Sequence, residues 1–144
     1  MRAGSCVRVH DALVRRALNA NRGREVKHTG DGIMAAFDAA TDAVRAAADI
    51  QRRFAACNAE VPERLSVRIG VHAGDPVEDN HDLFGATVQL AFRLCAEAGA
   101  DEVVVSGLVR ALCEEDSPRF VALGERRLKG FAEAIPAFRL EWRD

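Results

Sequence analysis

The chain has 144 residues, of which 29% are charged and 49% hydrophobic, and its formal net charge is −2 at pH 7. A chain of this length can bury a core of its own, and residues 1–144 are expected to form a single domain. The near balance of acidic and basic residues indicates neither a nucleic acid nor an anionic membrane surface as a partner. No apolar run is long enough to span a membrane and the N-terminus has no signal-peptide core, so the predicted location is the cytoplasm.

The first half of the chain is predicted to form a helix, a strand pair and a second helix. Apolar residues recur at a helical period from about Val7 to Ala20. Arg24–Thr29 and Ile33–Phe37 are predicted to be antiparallel strands, joined at a tight turn of Gly30, Asp31 and Gly32. Asp38 is expected to cap a long helix that ends at about Asn58.

The second half is predicted to contain shorter elements. The segment "RLSVRIGVHAG", Arg64–Gly74, alternates apolar and polar residues as a half-buried strand does. The polar stretch after it predicts a loop or a protruding arm as far as Asp82. The elements expected beyond it are a helix over Phe84–Ala98, a strand at "EVVVS", a short helix through Cys113, and three short strands near Phe120, Arg127 and Phe138.

This order of elements predicts a two-layer α/β sandwich, that is, an α+β fold with a mainly antiparallel sheet and helices packed on it. In a βαββαβ arrangement, a strand before the first helix would lie in the middle of the sheet. The chain as given starts with the helix, so we expect that first strand to be missing from it.

Asp31, at the tip of the hairpin turn, is open to two interpretations. An aspartate in a tight turn commonly bonds to nearby backbone, whereas an aspartate exposed at a strand end can bind Mg²⁺ through its carboxylate. Lys27, on the strand before the turn, is on its own typical of a solvated surface lysine. The cysteines and histidines show no metal-binding spacing, which predicts reduced packing thiols and structural or surface histidines.

Gln89 and Arg93 are four residues apart on the third predicted helix, so both side chains are expected on one face. An amide beside a guanidinium can hydrogen-bond a sugar and a phosphate, although a solvated helix face carries the same residue types. The basic segment "ERRLKG", Glu125–Gly130, fits a plain surface and an anion-binding clamp equally well. The chain has no Walker A loop, G-x-G-x-x-G, G-x-S-x-G or H-E-x-x-H motif. The usual sequence signatures of nucleotide-binding proteins and hydrolases are therefore excluded.

Four segments in order, "KHTGDGIMAAF", "VRIGVHAG", "DLFGATVQLAFRLC" and "LGERRLKGF", make the chain resemble the catalytic domain of class III adenylate and guanylate cyclases. The resemblance covers nearly the whole chain. It implies a ferredoxin-like core that works as a head-to-tail dimer with active sites at the subunit interface. It also implies that the 3′-hydroxyl of a nucleoside triphosphate attacks its own α-phosphorus and expels pyrophosphate, with Mg²⁺ or Mn²⁺ ions as cofactors.

The resemblance implies a role in substrate binding for Lys27, Asp82 and Lys129, and a catalytic role for Arg93. Lys27 and Asp82 match the pair that reads the purine. An ammonium that donates to N1 and a carboxylate that accepts from the exocyclic amine favour ATP over GTP as the substrate. Arg93 matches the arginine that stabilises the α-phosphate region, and Lys129 matches the lysine that holds the terminal phosphates.

Two departures from the family affect the implied site. Gln89 stands where the family usually has an asparagine that orients the ribose, and its extra methylene can misplace the hydrogen bond and slow the reaction. Asp31 matches the second of two metal-binding aspartates, but the family's first strand, which carries the other aspartate, has no counterpart in this chain. In the family, one subunit supplies both aspartates of a site and the other subunit supplies the remaining residues.

We therefore expect an N-terminally truncated domain that is inactive or very weak as a homodimer and that can form one complete site in a heterodimer with a full-length cyclase domain. Two other functions remain open. One is a catalytically inactive, cyclase-like module that regulates a partner or binds nucleotide. The other is an RNA-binding sandwich, which would need aromatic platforms and a basic face, whereas the chain has one Trp, no Tyr and a slightly negative charge.

Overall fold

The computed structural model describes residues 3–29, 32–60, 62, 64–74, 77–79, 82–113 and 119–143. The helices are α1 (Ala3–Ala20), α2 (Ala40–Asn58), α3 (Ala86–Glu97) and α4 (Gly107–Leu112). The strands are β1 (Arg24–Thr29), β2 (Gly32–Ala36), β3 (Ile69–Val71), β4 (Val77–Asp79), β5 (Asp82–Phe84), β6 (Val103–Ser106), β7 (Phe120–Arg126) and β8 (Ile135–Leu140). None of the helices in these ranges is both long and apolar enough to cross a membrane.

The described strands form three separate sheets. The largest has four strands in the order β3-β6-β8-β7, in which β3 and β6 are parallel and the other two pairs are antiparallel. β1 and β2 form an antiparallel hairpin, and β4 and β5 form another. The prediction of an α+β fold with mainly antiparallel pairing is confirmed. The strands do not form the expected single sheet, because β2 and β3 do not pair with each other.

Helices cover both faces of the four-stranded sheet. Successive side chains of a strand point to opposite faces, and in β6 Val103 and Val105 pack in a cluster with α2 while Val104 packs in a cluster with α3. A third cluster joins α1 to α2 through Leu18 and Phe54, together with side chains from β2 and from β3. α1 and α2 therefore lie on one side of the strands and α3 on the other.

Gly70, in the middle of β3, allows α3 to approach the strand backbone closely. A Cβ atom at this position would lie 2.3 Å from the backbone nitrogen of Cys95 and 2.4 Å from the carbonyl oxygen of Ala91. Side chains are not tolerated at such distances, so glycine is required here. The backbone of β3 thereby sets the distance between α3 and the sheet.

The start of α2 differs from the sequence-based expectation. The N-cap residue is Ala39, and no side chain accepts a hydrogen bond at this end of the helix. The prediction that Asp38 caps the helix is therefore wrong. Helix formation here rests on the packing of an apolar stripe that includes Val44 and Phe54, both almost fully buried.

Three strand predictions also need correction. The strand expected over Arg64–Gly74 is limited to β3, because its earlier residues pair with no strand among the described residues. The segment expected to be a loop or arm as far as Asp82 contains the β4–β5 hairpin. The tail has two strands rather than three, because Arg127 lies in the connection between β7 and β8.

Candidate active site

β1 carries Lys27 and is held against α1 by one ion pair and one contact between a histidine and a carboxylate. Arg15 of α1 lies 3.1 Å from a carboxylate oxygen of Glu25, and His28 Nε2 lies 3.0 Å from a carboxylate oxygen of Asp11. The hydrogen bond and the charge of Glu25 raise the pKa of Arg15. Exposed contacts of this kind contribute little to stability, so the two contacts mainly orient the strand. The pairing register with β2 shifts between Glu25 and Lys27, an irregularity that alters the direction of side chains along β1.

β5 begins at Asp82 and contacts both β1 and α3. The strand that carries Lys27 and the strand that carries Asp82 are therefore neighbours, as a shared purine site requires. Gly85 connects β5 to α3 with φ 105° and ψ −175°, a backbone conformation that is strained for any residue except glycine. This glycine lets the chain turn directly from Asp82 and β5 into α3.

The outer face of α3 presents Gln89 and Arg93. Leu90 and Leu94 of the same helix are buried against β6 and β8, at 5% and 0% exposure, so the residues that precede them point away from the core. Both Gln89 and Arg93 are exposed. Within the part of the chain that the structure describes, neither side chain makes a hydrogen bond or an ion pair, so both can bind a ligand without breaking an internal contact.

Lys129 lies in the turn between β7 and β8, on the side of the sheet covered by α3. Its neighbour Leu128 is 6% exposed and packs in the same apolar cluster as α3. Arg126 Nε lies 3.7 Å from Oε1 of Glu97 at the end of α3. Lys129 itself is exposed, so the turn is held by its neighbours while the ammonium group faces solvent.

Asp31, the predicted metal ligand, lies outside the described residues. Within the described ranges, no group of three or more His, Cys, Asp and Glu side chains is arranged to hold a metal ion. The cysteines in these ranges, Cys57, Cys95 and Cys113, are free thiols. The described acidic residues therefore do not form a metal site by themselves.

His72 has a structural role, as the sequence predicts. Its Nδ1 lies 2.7 Å from Oγ of Ser106, and that oxygen accepts a hydrogen bond from the backbone N–H of Val109 at 3.3 Å. The Ser106 hydroxyl can donate its proton to Nδ1 only when the imidazole is neutral. Burial lowers the pKa of His72 and favours that neutral form. The pair therefore joins the carboxyl ends of the parallel strands β3 and β6 to the start of α4.

The sequence matches a known protein family over nearly its whole length. Residues 4–141 match the family described as "Adenylate and Guanylate cyclase catalytic domain". The chain belongs to this family. The resemblance read from the four ordered segments is confirmed, and the chain is a class III nucleotide cyclase catalytic domain. Such domains belong to enzymes of cyclic nucleotide biosynthesis, which use divalent metal ions.

Individual relatives agree with this assignment. A Rhizobium meliloti protein named "Putative adenylate cyclase 3" is 40% identical over 88 residues, which are 60% of this chain and 15% of that protein. A Mycobacterium tuberculosis protein is 36% identical over 130 residues, which are 90% of this chain and 33% of that protein. The chain thus spans a third or less of the length of these curated relatives.

A solved structure confirms the predicted ferredoxin-like cyclase core. The crystal structure of an adenylate/guanylate cyclase/hydrolase from Silicibacter pomeroyi matches this chain with a TM-score of 0.82 and 33% sequence identity. The match covers 89% of this chain and 78% of that chain. The similarity therefore extends over most of both chains.

The cyclase domain brings most of the predicted site residues onto neighbouring elements. These are Lys27 on β1, Asp82 on β5, Gln89 and Arg93 on α3, and Lys129 on the turn that packs beside α3. Sequence reasoning missed the two polar contacts, Arg15 with Glu25 and His28 with Asp11, that hold β1 against α1. The available signal was the spacing of Asp11 and Arg15, four residues apart on one face of α1, but nothing in the sequence identifies their partners on β1.

Proposed function

We propose that this cyclase domain converts ATP to cyclic AMP and pyrophosphate in a site shared by two subunits. The 3′-hydroxyl of ATP releases its proton to solvent and attacks the α-phosphorus, the bond from that phosphorus to the oxygen that bridges it to the β-phosphorus breaks, and pyrophosphate leaves. The observation that supports this proposal is the adjacency of β1, β5, α3 and the β7–β8 turn. These neighbouring elements carry the residues that we assign to the base, the ribose and the phosphates.

The base is read by Lys27 and Asp82. Adenine has an acceptor at N1 and a donor at its exocyclic amine, which suit an ammonium and a carboxylate respectively. Guanine presents a donor at N1 and an acceptor at its exocyclic oxygen. The Lys27 ammonium would then face a donor and the Asp82 carboxylate would face an acceptor. The pair therefore favours ATP over GTP.

The sugar and the phosphates are held by Gln89, Arg93 and Lys129. The Gln89 amide hydrogen-bonds the ribose and keeps the 3′-hydroxyl in line with the α-phosphorus. The Arg93 guanidinium, whose planar donors match phosphate oxygens, stabilises the charge that develops at the α-phosphate. Lys129 holds the terminal phosphates that leave as pyrophosphate.

This reaction needs divalent metal ions, and the resemblance assigns to this chain one of their two carboxylate ligands. Asp31 is the ligand that we propose for Mg²⁺ or Mn²⁺, and the described residues provide no further acidic cluster. A single carboxylate does not make a site for two ions, so we assign no catalytic step to a metal held by a homodimer of this chain. We propose instead that the homodimer is impaired and that a full-length cyclase domain supplies both metal-binding carboxylates in a heterodimer.

A mixing experiment tests this proposal. A full-length cyclase domain whose two purine-reading residues are replaced by alanine is inactive by itself. Mixed with this chain in the presence of Mn²⁺ and ATP, it should form cyclic AMP, because one of the two shared sites is then complete. The control is the same mixture with this chain carrying Arg93→Ala, which should form none.

The outcomes separate the proposed enzyme from a cyclase-like module without turnover. Absence of cyclic AMP from a mixture in which the two proteins co-elute as a heterodimer refutes the catalytic proposal. If this chain nevertheless binds ATP in calorimetry and Lys27→Ala abolishes that binding, the chain is a nucleotide-binding module.

A further inference from the structure

Phe92, on the outer face of α3, is 56% exposed and is the most exposed of the large apolar side chains whose burial the structure describes. Single exposed apolar side chains are common on protein surfaces, so exposure by itself assigns no role to the ring. Its position does, because Phe92 lies one helical turn after Gln89 and directly before Arg93. These are the two residues of α3 that we assign to the ribose and the α-phosphate.

The order of residues around α3 places Phe92 on one particular side of Gln89. Successive residues of an α-helix are about 100° apart around its axis. From this spacing, Arg93 lies about 40° from Gln89 in one direction and Phe92 lies about 60° from it in the other direction. Gln89 therefore lies between the ring and the guanidinium on the outward face of the helix.

Contacts on the two flanks of α3 show what each side of the helix faces. On the flank of the guanidinium, Oε1 of Glu97 lies 3.7 Å from Nε of Arg126, at the end of the strand that leads into the turn carrying Lys129. On the flank of the ring, the backbone of Cys95 lies against Gly70 of β3. The phosphate-binding side of α3 therefore faces the β7–β8 turn, and the ring lies on the opposite side, towards β3.

The shape of a nucleoside triphosphate matches this order. Its phosphates and its base are attached to opposite ends of the ribose. A molecule held at the ribose by Gln89 and at the phosphates by Arg93 and Lys129 therefore extends its base beyond Gln89 on the side of Phe92. We propose that Phe92 is a further substrate-binding residue, whose ring packs against the nucleoside part of the triphosphate. This inference rests on the proposed nucleotide site but does not require turnover.

An aromatic ring is suited to this contact, because every base has an apolar face that packs on aromatic side chains. The contact uses none of the hydrogen-bonding groups of the base, so it strengthens binding without distinguishing adenine from guanine. That distinction stays with Lys27 and Asp82. The ring therefore adds affinity for the nucleoside and adds none for the phosphates.

Nucleotide binding by the Phe92→Ala variant tests this inference. One probe is 3′-deoxy-ATP, which lacks the attacking hydroxyl and so binds without turnover, and the other is inorganic triphosphate, which has no nucleoside. Calorimetry with Mn²⁺ is done on the mixture of this chain and the full-length cyclase domain whose purine-reading residues are alanine. We expect the variant to bind 3′-deoxy-ATP on the order of 5–20 times more weakly and to bind inorganic triphosphate equally well. Phe92→Tyr, which keeps the ring, should bind both probes as the unmodified chain does.

Leu112→Ala is the matched control. Leu112 is 54% exposed, but it belongs to α4, whose Val109 packs in the cluster with α2 on the other face of the sheet. This variant should bind both probes with unchanged affinity. Since Phe92 and Leu112 are both exposed and alanine is favourable in helices, circular dichroism should show that both alanine variants are folded.

Three outcomes would overturn the inference. Unchanged affinity of Phe92→Ala for 3′-deoxy-ATP shows that the ring does not contact the nucleoside. An equal loss of affinity for both probes shows that the substitution disturbs the phosphate-binding side of α3. Weaker association with the cyclase domain in sedimentation velocity, with unchanged affinity of the assembled heterodimer for 3′-deoxy-ATP, shows that the ring packs against the partner subunit.

A parallel measurement on Lys27→Ala separates this inference from the proposed base recognition. If Lys27→Ala weakens the binding of 3′-deoxy-ATP and Phe92→Ala does not, the role of the ring is wrong and the assignment of Lys27 stands. If Phe92→Ala weakens binding and Lys27→Ala does not, the ring contacts the nucleoside and the base is read by other residues. If the unmodified mixture binds inorganic triphosphate and 3′-deoxy-ATP equally tightly, no side chain contacts the nucleoside and both assignments are wrong.

Discussion

Replacing Gly70 with alanine tests whether α3 lies on the backbone of β3 as closely as the structure shows. The new Cβ would lie 2.3 Å from the nitrogen and 2.8 Å from the Cα of Cys95, and 2.4 Å from the carbonyl oxygen of Ala91. All three are backbone atoms, so no side-chain rotation relieves the contact and the helix or the strand must move. Overpacking a core typically costs 1–3 kcal/mol, and we expect about 3 kcal/mol here because the neighbours are rigid.

Urea unfolding and thermal unfolding, both followed by circular dichroism, measure this cost. For a chain of this size, a loss of about 3 kcal/mol lowers Tm by roughly 6–12 °C. The matched control is Gly32→Ala, because no heavy atom lies within 4 Å of the added Cβ, and its effect should stay within about 0.5 kcal/mol. If Gly70→Ala is as stable as Gly32→Ala with an unchanged denaturant slope, the close contact between β3 and α3 is wrong.

The contact at Gly70 also matters for the proposed chemistry, because α3 carries Gln89 and Arg93. A displacement of about 1 Å in a group that positions a substrate can cost on the order of 100-fold in rate. We therefore expect Gly70→Ala to lower cyclic AMP formation in the heterodimer assay even at temperatures where the variant is fully folded. Gly32→Ala is unsuitable as a control in this second assay, since it adjoins Asp31.

Two further predictions concern base recognition and acid stability. In the active heterodimer, replacing Lys27 with Glu and Asp82 with Cys should shift the preference from ATP towards GTP, and an unchanged ratio of cyclic AMP to cyclic GMP product would remove the reason for assigning these residues to the base. His72 has a folded pKa below its ordinary value of 6.5, so the unfolded state takes up the proton first and stability should fall as pH drops below 6.5. The slope reaches at most about 1.36 kcal/mol per pH unit. His72→Gln, whose amide oxygen can still accept a hydrogen bond from Ser106, should make the free energy of unfolding depend less on pH. If urea unfolding between pH 6.5 and 5 gives the same pH dependence for the variant and the unmodified chain, the role given to the imidazole is contradicted.

Local patterns in the sequence were sufficient for the elements near the N-terminus. The helical period up to Ala20 and the Asp-Gly turn between two apolar runs both act over a few residues, and the structure places α1, β1 and β2 within a few residues of the predicted limits. The third helix was predicted for the same reason. Gln89 and Arg93 were expected together on one face of this helix, and both are exposed.

Features that depend on contacts distant in sequence could not be predicted. The alternation over Arg64–Gly74 is typical of a strand, but only Ile69–Val71 form one, because only these residues pair with β6. Their partners in β6 are more than thirty positions away in the sequence. The role of Gly70 likewise depends on where the backbone of Cys95 comes to lie. The positions of Lys27 and Asp82 on adjoining strands depend on the contact between β1 and β5, which no local pattern reveals.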